Sequence, residues 1–264
     1  MAPGDDDLAL AHELADLADA ISLARFRAED LVVDTKPDLT PVTEADRAVE
    51  RAIRDRLATA RPGEHVVGEE FGADAGEGAP ARWIVDPIDG TKSYVRGIPV
   101  YATLIALERD GRIQTGLASA PALGGRRWWA SRGLGAFADG RPIHVSKVSR
   151  LEDAQLAYGG LSGWRRAGLL DRFIAVANRC WRTRGFGDFW MHLLVAEGSA
   201  DVAAELEVSI WDLAAVQVIV EEAGGRFSDI TGANRVDGGS AVSTNGLMHD
   251  EVLAHLSAAS DSLR

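Results

Sequence analysis

A single cysteine, Cys180, stands in this chain of 264 residues, so no intrachain disulfide can form. That suits a reducing compartment, and a cytoplasmic location is expected. The six histidines are scattered, with no HExxH pair and no CxxC, which excludes zinc sites of the familiar kind. No apolar run is long enough to cross a bilayer. The acidic start, Asp5-Asp6-Asp7, lacks the basic segment and apolar run of a secretory signal, so no membrane partner is expected. Positive charge is scarce: 28 Lys and Arg face 40 Asp and Glu, for a net charge of −12, and no basic stripe is visible. Nucleic acid is therefore not an expected partner. The same balance favours cations, although it also serves plain solubility.

What is present is an ordinary globular composition, 46% hydrophobic, without repeats or low-complexity tracts. Such a chain forms one large domain or two joined lobes. Leu10, Leu14, Leu17 and Ile21 predict an amphipathic helix over Asp5–Arg27. Val49, Ile53 and Leu57 predict a second helix from Thr43 to Ala60, with Thr43 and Asp46 at capping-box spacing. Strands are expected at Leu31–Lys36, His65–Gly68 and Arg82–Val85, the last two joined by a Gly-rich loop from Gly72 to Pro80. Further strands are expected at Arg126–Ala130 and Gly135–Ala138. Asp110-Gly111 predicts a hairpin between Tyr101–Glu108 and Arg112–Ser119. Beyond residue 150 the order changes to helices at Leu169–Asn178, Phe189–Glu197, Ile210–Ala223 and Leu247–Ser257. These are interleaved with strands at Arg182–Phe186, Ala200–Glu205, Gly225–Asp229 and Ser240–Ser243. A division into lobes 1–147 and 148–264 is expected, the first with paired acids after its strands, the second with Asp212 and the candidate specificity residues.

The most telling stretch is Trp83-Ile84-Val85-Asp86-Pro87-Ile88-Asp89-Gly90-Thr91-Lys92. An apolar strand ends in two acids three positions apart, with a proline between them. Two carboxylates and a backbone carbonyl brought to one point suit a hard divalent cation, which takes several oxygen ligands. Other acids sit at apparent strand ends or helix starts: Glu69 and Glu70 after His65–Gly68, Asp212 opening an apolar helix, and Asp46 in the first turn of the second helix. Singly, each has a plainer reading. Asp46 and Asp212 suit the positive end of a helix, Glu69 and Glu70 suit a solvated loop, and Asp86-Pro87 suits a turn. No Ser-His or Cys-His nucleophile pair accompanies them, which favours direct attack by activated water over a covalent intermediate.

Together the segments KPDLTPVTEAD (36–46), GEE (68–70), WIVDPIDGTKSYV (83–95) and WDLAA (211–215) resemble, in order, the signatures of the inositol monophosphatase-like family of metal-dependent phosphatases. The resemblance implies a layered αβαβα sandwich of the inositol monophosphatase/fructose-1,6-bisphosphatase type, binding two to three Mg²⁺ per subunit. It implies that Glu69, Asp86 and the Ile88 carbonyl hold one metal and Asp86, Asp89 and Asp212 a second, with Glu69 serving a weaker third largely through water. Glu70 supports without ligating directly. Thr91 contacts the attacking water or its metal, Asp46 orients Thr91, and Lys36 offsets the acids. Gly90 and Thr91 would offer backbone N–H groups to phosphate. Lithium sensitivity and a homodimer are further implications.

For the ester, three features point to the histidinol-phosphate phosphatase branch of that superfamily. DGTK carries Lys92, and DGTK-x-aromatic-x-x-G-x-P runs from Asp89 to Pro99. Arg184-Gly185-Phe186-Gly187-Asp188 resembles the R-x-[YF]-G-D segment of those enzymes. Glu205 stands seven residues before Asp212, where inositol phosphatases contact a substrate hydroxyl. Acids at 188 and 205 would pair with an ammonium and accept from an imidazole N–H. Histidinol phosphate is thus the expected substrate, with inositol 1-phosphate the chief rival. Fructose 1,6-bisphosphate and 3′-phosphoadenosine 5′-phosphate suit an acidic pocket less well. The alternative of another class is a non-catalytic metal- or phosphate-binding regulator. Asp188 has a competing reading as the N-cap of the following helix, Glu205 one as a surface acid, and Arg184, a candidate phosphate ligand, one as a strand-end charge or a partner of Asp188. Trp128, Trp129 and Trp164 read as either core or a stacking surface, and Lys92 and Arg96 as phosphate-attracting or simply exposed.

Overall fold

The computed structural model describes residues 3–37, 39–74 and 81–257. Part of the loop expected from Gly72 to Pro80 lies outside the described residues. The chain opens with α1 (Pro3–Arg25), a two-stranded ribbon of β1 (Val33–Thr35) and β2 (Pro41–Thr43), then α2 (Glu44–Ala60). Next come β3 (His65–Gly68), β4 (Gly72–Ala73), β5 (Ala81–Asp89), the short α3 (Thr91–Val95), and the strands β6 (Ala102–Arg109), β7 (Arg112–Ala120), β8 (Arg126–Ser131), β9 (Gly135–Ala138) and β10 (Arg141–Ile143). The remainder comprises β11 (Gln155–Tyr158), α4 (Ser162–Arg166), α5 (Leu170–Arg179), β12 (Arg182–Gly185), α6 (Asp188–Ala196), β13 (Val202–Leu206), α7 (Ile210–Glu222), β14 (Arg226–Ser228), β15 (Ser240–Thr244) and α8 (His249–Ser257).

Strands up to Ile143 form an eight-stranded sheet in the order β10-β9-β8-β7-β6-β5-β3-β4, and later ones a five-stranded sheet in the order β12-β11-β13-β15-β14. Apolar side chains on each face dictate what covers it. One face of the large sheet buries Trp83, Val85, Ile105 and Leu117 against α1 and α2. The other buries Ile84, Leu104 and Trp128 against α6 and α7. Helix α6 turns Met191 and Val195 to Ala157 and Ala203 of the small sheet, whose far side packs on α4, α5 and α8. The result is the αβαβα layering, with α6 and α7 as the shared middle layer.

Local sequence explains several joints. Asp110 (φ 51°) and Gly111 (φ 71°) are both left-handed, as the tight hairpin between β6 and β7 requires. At α2, Thr43 accepts from the Asp46 N–H while Asp46 accepts from the Thr43 N–H, so the spaced pair does form a capping box. Two expectations need correction. Leu17 is exposed, because the packed face of α1 runs through Leu10, Leu14 and the three alanines Ala11, Ala15 and Ala18, and Ala18 rather than Leu17 faces the core. The strand expected at Leu31–Lys36 is only Val33–Thr35, since among the described residues it pairs only with the equally short β2.

Candidate active site

Strands β3 and β5 run parallel, and the chain leaves both at the same edge. Asp86 and Asp89 are three positions apart, so a regular strand would point them to opposite faces. The pairing of β5 with β6 slips between them, and this bulge restores them to one side. Pro87, which has no N–H to offer the ladder, sits in the bulge, and its carbonyl accepts from the Thr103 hydroxyl at 2.8 Å. Helix α7 brings in Asp212, which also receives the Ser209 N–H at 2.7 Å and thereby caps its own helix. One carboxylate oxygen from each of Asp86, Asp89 and Asp212 lies within 4.8 Å of the others.

Burial, and then the neighbouring carboxylates, raise Asp86 and Asp89 well above the usual carboxylate range. Asp212 is pushed up to about 7, first by burial, with Glu205 and Glu69 adding to it. Three mutually repelling oxygen donors fit a hard divalent cation, which removes the repulsion; an oxygen-only set suits Mg²⁺ better than a softer metal. Glu69 stands beside this group and not within it: its Oε1 accepts from Lys36 Nζ at 2.7 Å, as does Glu70 Oε1. Burial works against the Lys36 charge, but these two bonds outweigh it and raise its pKa.

Thr91 begins α3. Its hydroxyl has two acceptors, Asp46 Oδ1 at 3.1 Å and the Ile88 carbonyl at 3.0 Å. Asp46 is fully buried, and burial raises its carboxyl despite the bonds from Thr43 and Thr91. Gly90 precedes Thr91 with φ 85°, and a side chain there would meet the Val100 carbonyl and the Asp188 carboxylate. A pocket of about 360 Å³ is lined by Lys36, Glu69, Gly90, Thr91, Lys92, Asp188, Glu207, Trp211 and Asp212, among others. A larger cavity, about 640 Å³, lies elsewhere, and its arginines are mostly paired already, Arg82 with Glu108, Arg132 with Glu221 and Arg235 with Asp237.

Asp188 is not the N-cap of α6. Gly187 occupies that place, and in the first turn the Phe189 N–H donates to Asp89 Oδ2 at 2.7 Å. Asp188 itself is held at φ 47°, in the left-handed region. Its carboxyl is pushed up to about 6 by burial and by Glu205, with Lys92 opposing. Glu205 is mostly buried and lies close enough to raise Asp188, Asp89 and Asp212. It does not line the pocket wall, and neither does Arg184, which is exposed on the edge strand β12 with its guanidinium on the Thr183 carbonyl. Trp128 and Trp164 are fully buried, so they serve as core, and Trp129 packs edge-on to His12 and stacks on Phe137. Lys92 reaches the pocket, whereas Arg96 is exposed away from it.

Three further residues were not singled out by sequence. Glu50 is a fully buried acid on α2 whose carboxylate receives the Glu70 N–H at 2.7 Å, the Phe71 N–H at 3.2 Å and Arg54 Nε at 2.8 Å. It clamps the turn after Gly68. Glu207, at the pocket rim with φ 65°, pairs with Arg166. His192, on α6, bonds Glu205. An acid beside Val49 on the buried stripe of α2, a turn beyond the capping Asp46, was the only signal for Glu50.

Comparison with known proteins agrees with this architecture. The model of the inositol monophosphatase family matches residues 5–261. The chain is 56% identical over 258 residues to a histidinol-phosphatase of Mycobacterium tuberculosis, covering 96% of this chain and 98% of that one. A histidinol-phosphatase of Streptomyces coelicolor is 55% identical over 260 residues, 95% and 97% of the two chains. Among solved structures, the extragenic suppressor protein suhB of Bartonella henselae superposes with a TM-score of 0.88 at 31% identity, over 96% of this chain and 99% of that one. On sequence and on fold alike, the chain belongs to the inositol monophosphatase family.

Proposed function

We infer that this protein is a Mg²⁺-dependent phosphomonoesterase that hydrolyses L-histidinol phosphate to L-histidinol and phosphate, a step of histidine biosynthesis. The observation that carries the reading is the buried Asp86–Asp89–Asp212 group with two more acids, Asp188 and Glu205, beside it. The relatives named histidinol-phosphatase, alike over nearly the whole chain, support the choice of ester. Asp86, Asp89 and Asp212, with Glu69 at the margin and the Ile88 carbonyl next to Thr91, would hold two to three Mg²⁺. When bound, Mg²⁺ makes water more acidic and offsets charge on the phosphoryl and leaving oxygens.

The chain's own residues divide the remaining work. Asp46 Oδ2 is engaged by Thr43, which leaves Oδ1 for Thr91. A Thr91 hydroxyl that donates to Asp46 turns its lone pairs to the pocket, where it accepts from the attacking water and aligns it. The raised carboxyl of Asp46 suits it to take the proton passed through that hydroxyl. Lys36 holds Glu69 and Glu70 in place and lessens their repulsion of an incoming phosphate. Gly90 and Thr91 form the pocket wall that the phosphate would meet.

On the alcohol side, Asp188 and Glu205 attract an ammonium and an imidazole N–H, whereas inositol offers only neutral hydroxyls. The left-handed backbone at Asp188 costs about 1–2 kcal/mol for a residue with a Cβ, and such strain concentrates at sites where a side chain must be aimed. Homodimer formation belongs to the same proposal, with family membership as its support. Phosphate release measured over a panel of esters with Mg²⁺ tests the reading. A kcat/KM for histidinol phosphate at least about tenfold above that for inositol 1-phosphate is expected, and a tenfold preference the other way would overturn it.

A further inference from the structure

Helix α6 is apolar around most of its circumference, yet it carries a histidine that is only 1% exposed, among the buried Phe189, Met191, Leu193 and Val195. A leucine would fill that space without the cost of desolvating an imidazole. Both ring nitrogens are engaged: Nδ1 lies 2.7 Å from the hydroxyl of Ser243 on β15, and Nε2 lies 2.8 Å from Glu205 Oε1 on β13. A carboxylate acceptor at Nε2 calls for the proton on that nitrogen, and a neutral ring then takes the Ser243 hydroxyl as donor at Nδ1. The ring is thus locked between two strands, and its N–H is aimed at one oxygen of Glu205. The other oxygen, Oε2, is on the side of Gly159, where an added Cβ would come within 3.5 Å of it, and it receives no hydrogen bond from a described residue. Glu205 stays 13% exposed and is near enough to Asp188 to raise it.

We propose that His192 is a positioning residue for substrate choice: through Nε2–H it fixes the Glu205 carboxylate behind Asp188, so that its negative charge adds to that of Asp188, which faces the nitrogen of a cationic alcohol from the pocket wall. A glutamate on its own has three side-chain torsions, and fixing them beforehand removes an entropy cost that binding would otherwise carry. Ser243 acts one step further back, by choosing the tautomer. The inference rests on the reading of the substrate as histidinol phosphate and adds to it the means by which one charge is held.

The test uses the full-length enzyme with Mg²⁺ and two esters, histidinol phosphate and the neutral β-glycerophosphate. In His192→Gln the amide nitrogen reaches the place of Nε2, so Glu205 keeps its donor; in His192→Asn the amide reaches only the place of Nδ1. Both are polar and smaller than the ring, so a general effect of substitution would appear in both. His192→Asn is expected to raise KM for histidinol phosphate about tenfold, with kcat and turnover of β-glycerophosphate within about threefold of wild type, while His192→Gln keeps the preference. Nitrogen-15 spectra of the wild type should show His192 as the Nε2–H tautomer. Equal losses on both esters, no loss on either, or an Nδ1–H tautomer would overturn the inference while leaving the substrate reading intact. A wild-type enzyme without a preference for histidinol phosphate would overturn both, and is recognised from the wild-type measurements alone.

Discussion

Replacing Gly68 by alanine isolates how the Glu69 turn is built. Gly68 is not in the left-handed region, so its backbone would accept alanine without strain. The obstacle is a neighbour: an added Cβ would lie 2.1 Å from Glu50 Oε1, 2.3 Å from its Cδ and 2.7 Å from Oε2. A contact that short cannot be relieved by a few tenths of an ångström, so the Glu50 carboxylate must leave. It would then release the Glu70 N–H, the Phe71 N–H and Arg54 together. Hydrogen bonds to a charged group contribute about 1.5–3 kcal/mol each. The turn is partly open to water, which recovers some of that, so a loss of about 3 kcal/mol is the reasonable figure. For a chain of this length that corresponds to a fall in Tm of about 6–12 °C. Differential scanning calorimetry of Gly68→Ala, Glu50→Ala and the double variant measures it. If Glu50 is the cause, the double variant is no less stable than Glu50→Ala by more than about 0.5 kcal/mol, a strongly non-additive cycle. Additive losses, or a Gly68→Ala protein as stable as wild type, would refute the reasoning.

Thr91→Val keeps the volume and removes the hydroxyl on Asp46 Oδ1; kcat should fall by about 10²-fold or more with KM little changed, and an unchanged kcat would contradict the role given to the pair. Asp188→Asn tolerates the same left-handed backbone but loses the charge; kcat/KM for histidinol phosphate should fall about tenfold with a neutral ester unaffected, and equal losses would contradict the ammonium contact. Asp212, raised to about 7 mainly by burial, titrates far above the value of about 4 for an unfolded aspartate. Between those pH values the metal-free native state binds more protons than the unfolded chain, so its stability falls as pH rises through that window. The rise in Tm on adding Mg²⁺ should therefore grow from about pH 5 to pH 7.5, and a rise that is constant or shrinks would contradict the crowded acid group.

Much of this was legible in the chain because local rules act over a few residues. Thr43 and Asp46 announce a cap by spacing, and the same carboxylate also accepts from Thr91, so the cap and the contact on which the functional proposal for Asp46 draws occur together. Asp212 likewise caps α7 and faces the acid group. The bulge that brings Asp86 and Asp89 to one side was not readable, because it depends on the pairing of β5 with β6 and not on β5 alone. Glu50 and His192 escaped for a related reason. Each is a polar residue among apolar ones on a buried helix face, and its value comes from a strand or turn distant in sequence. Leu17 was misplaced because hydrophobic spacing weights large side chains, while the buried face of α1 takes Ala18 in its place, between Leu14 and Ile21.

The central claim is that Asp86, Asp89 and Asp212 together form a divalent-metal site that meets the pocket at Asp212. Anomalous diffraction from crystals soaked in Mn²⁺, a stand-in for Mg²⁺, tests it directly. The account predicts manganese peaks at about 2.0–2.4 Å from carboxylate oxygens of all three residues, one peak shared through Asp86. Well-ordered carboxylates with no anomalous density between them at saturating Mn²⁺ would contradict it.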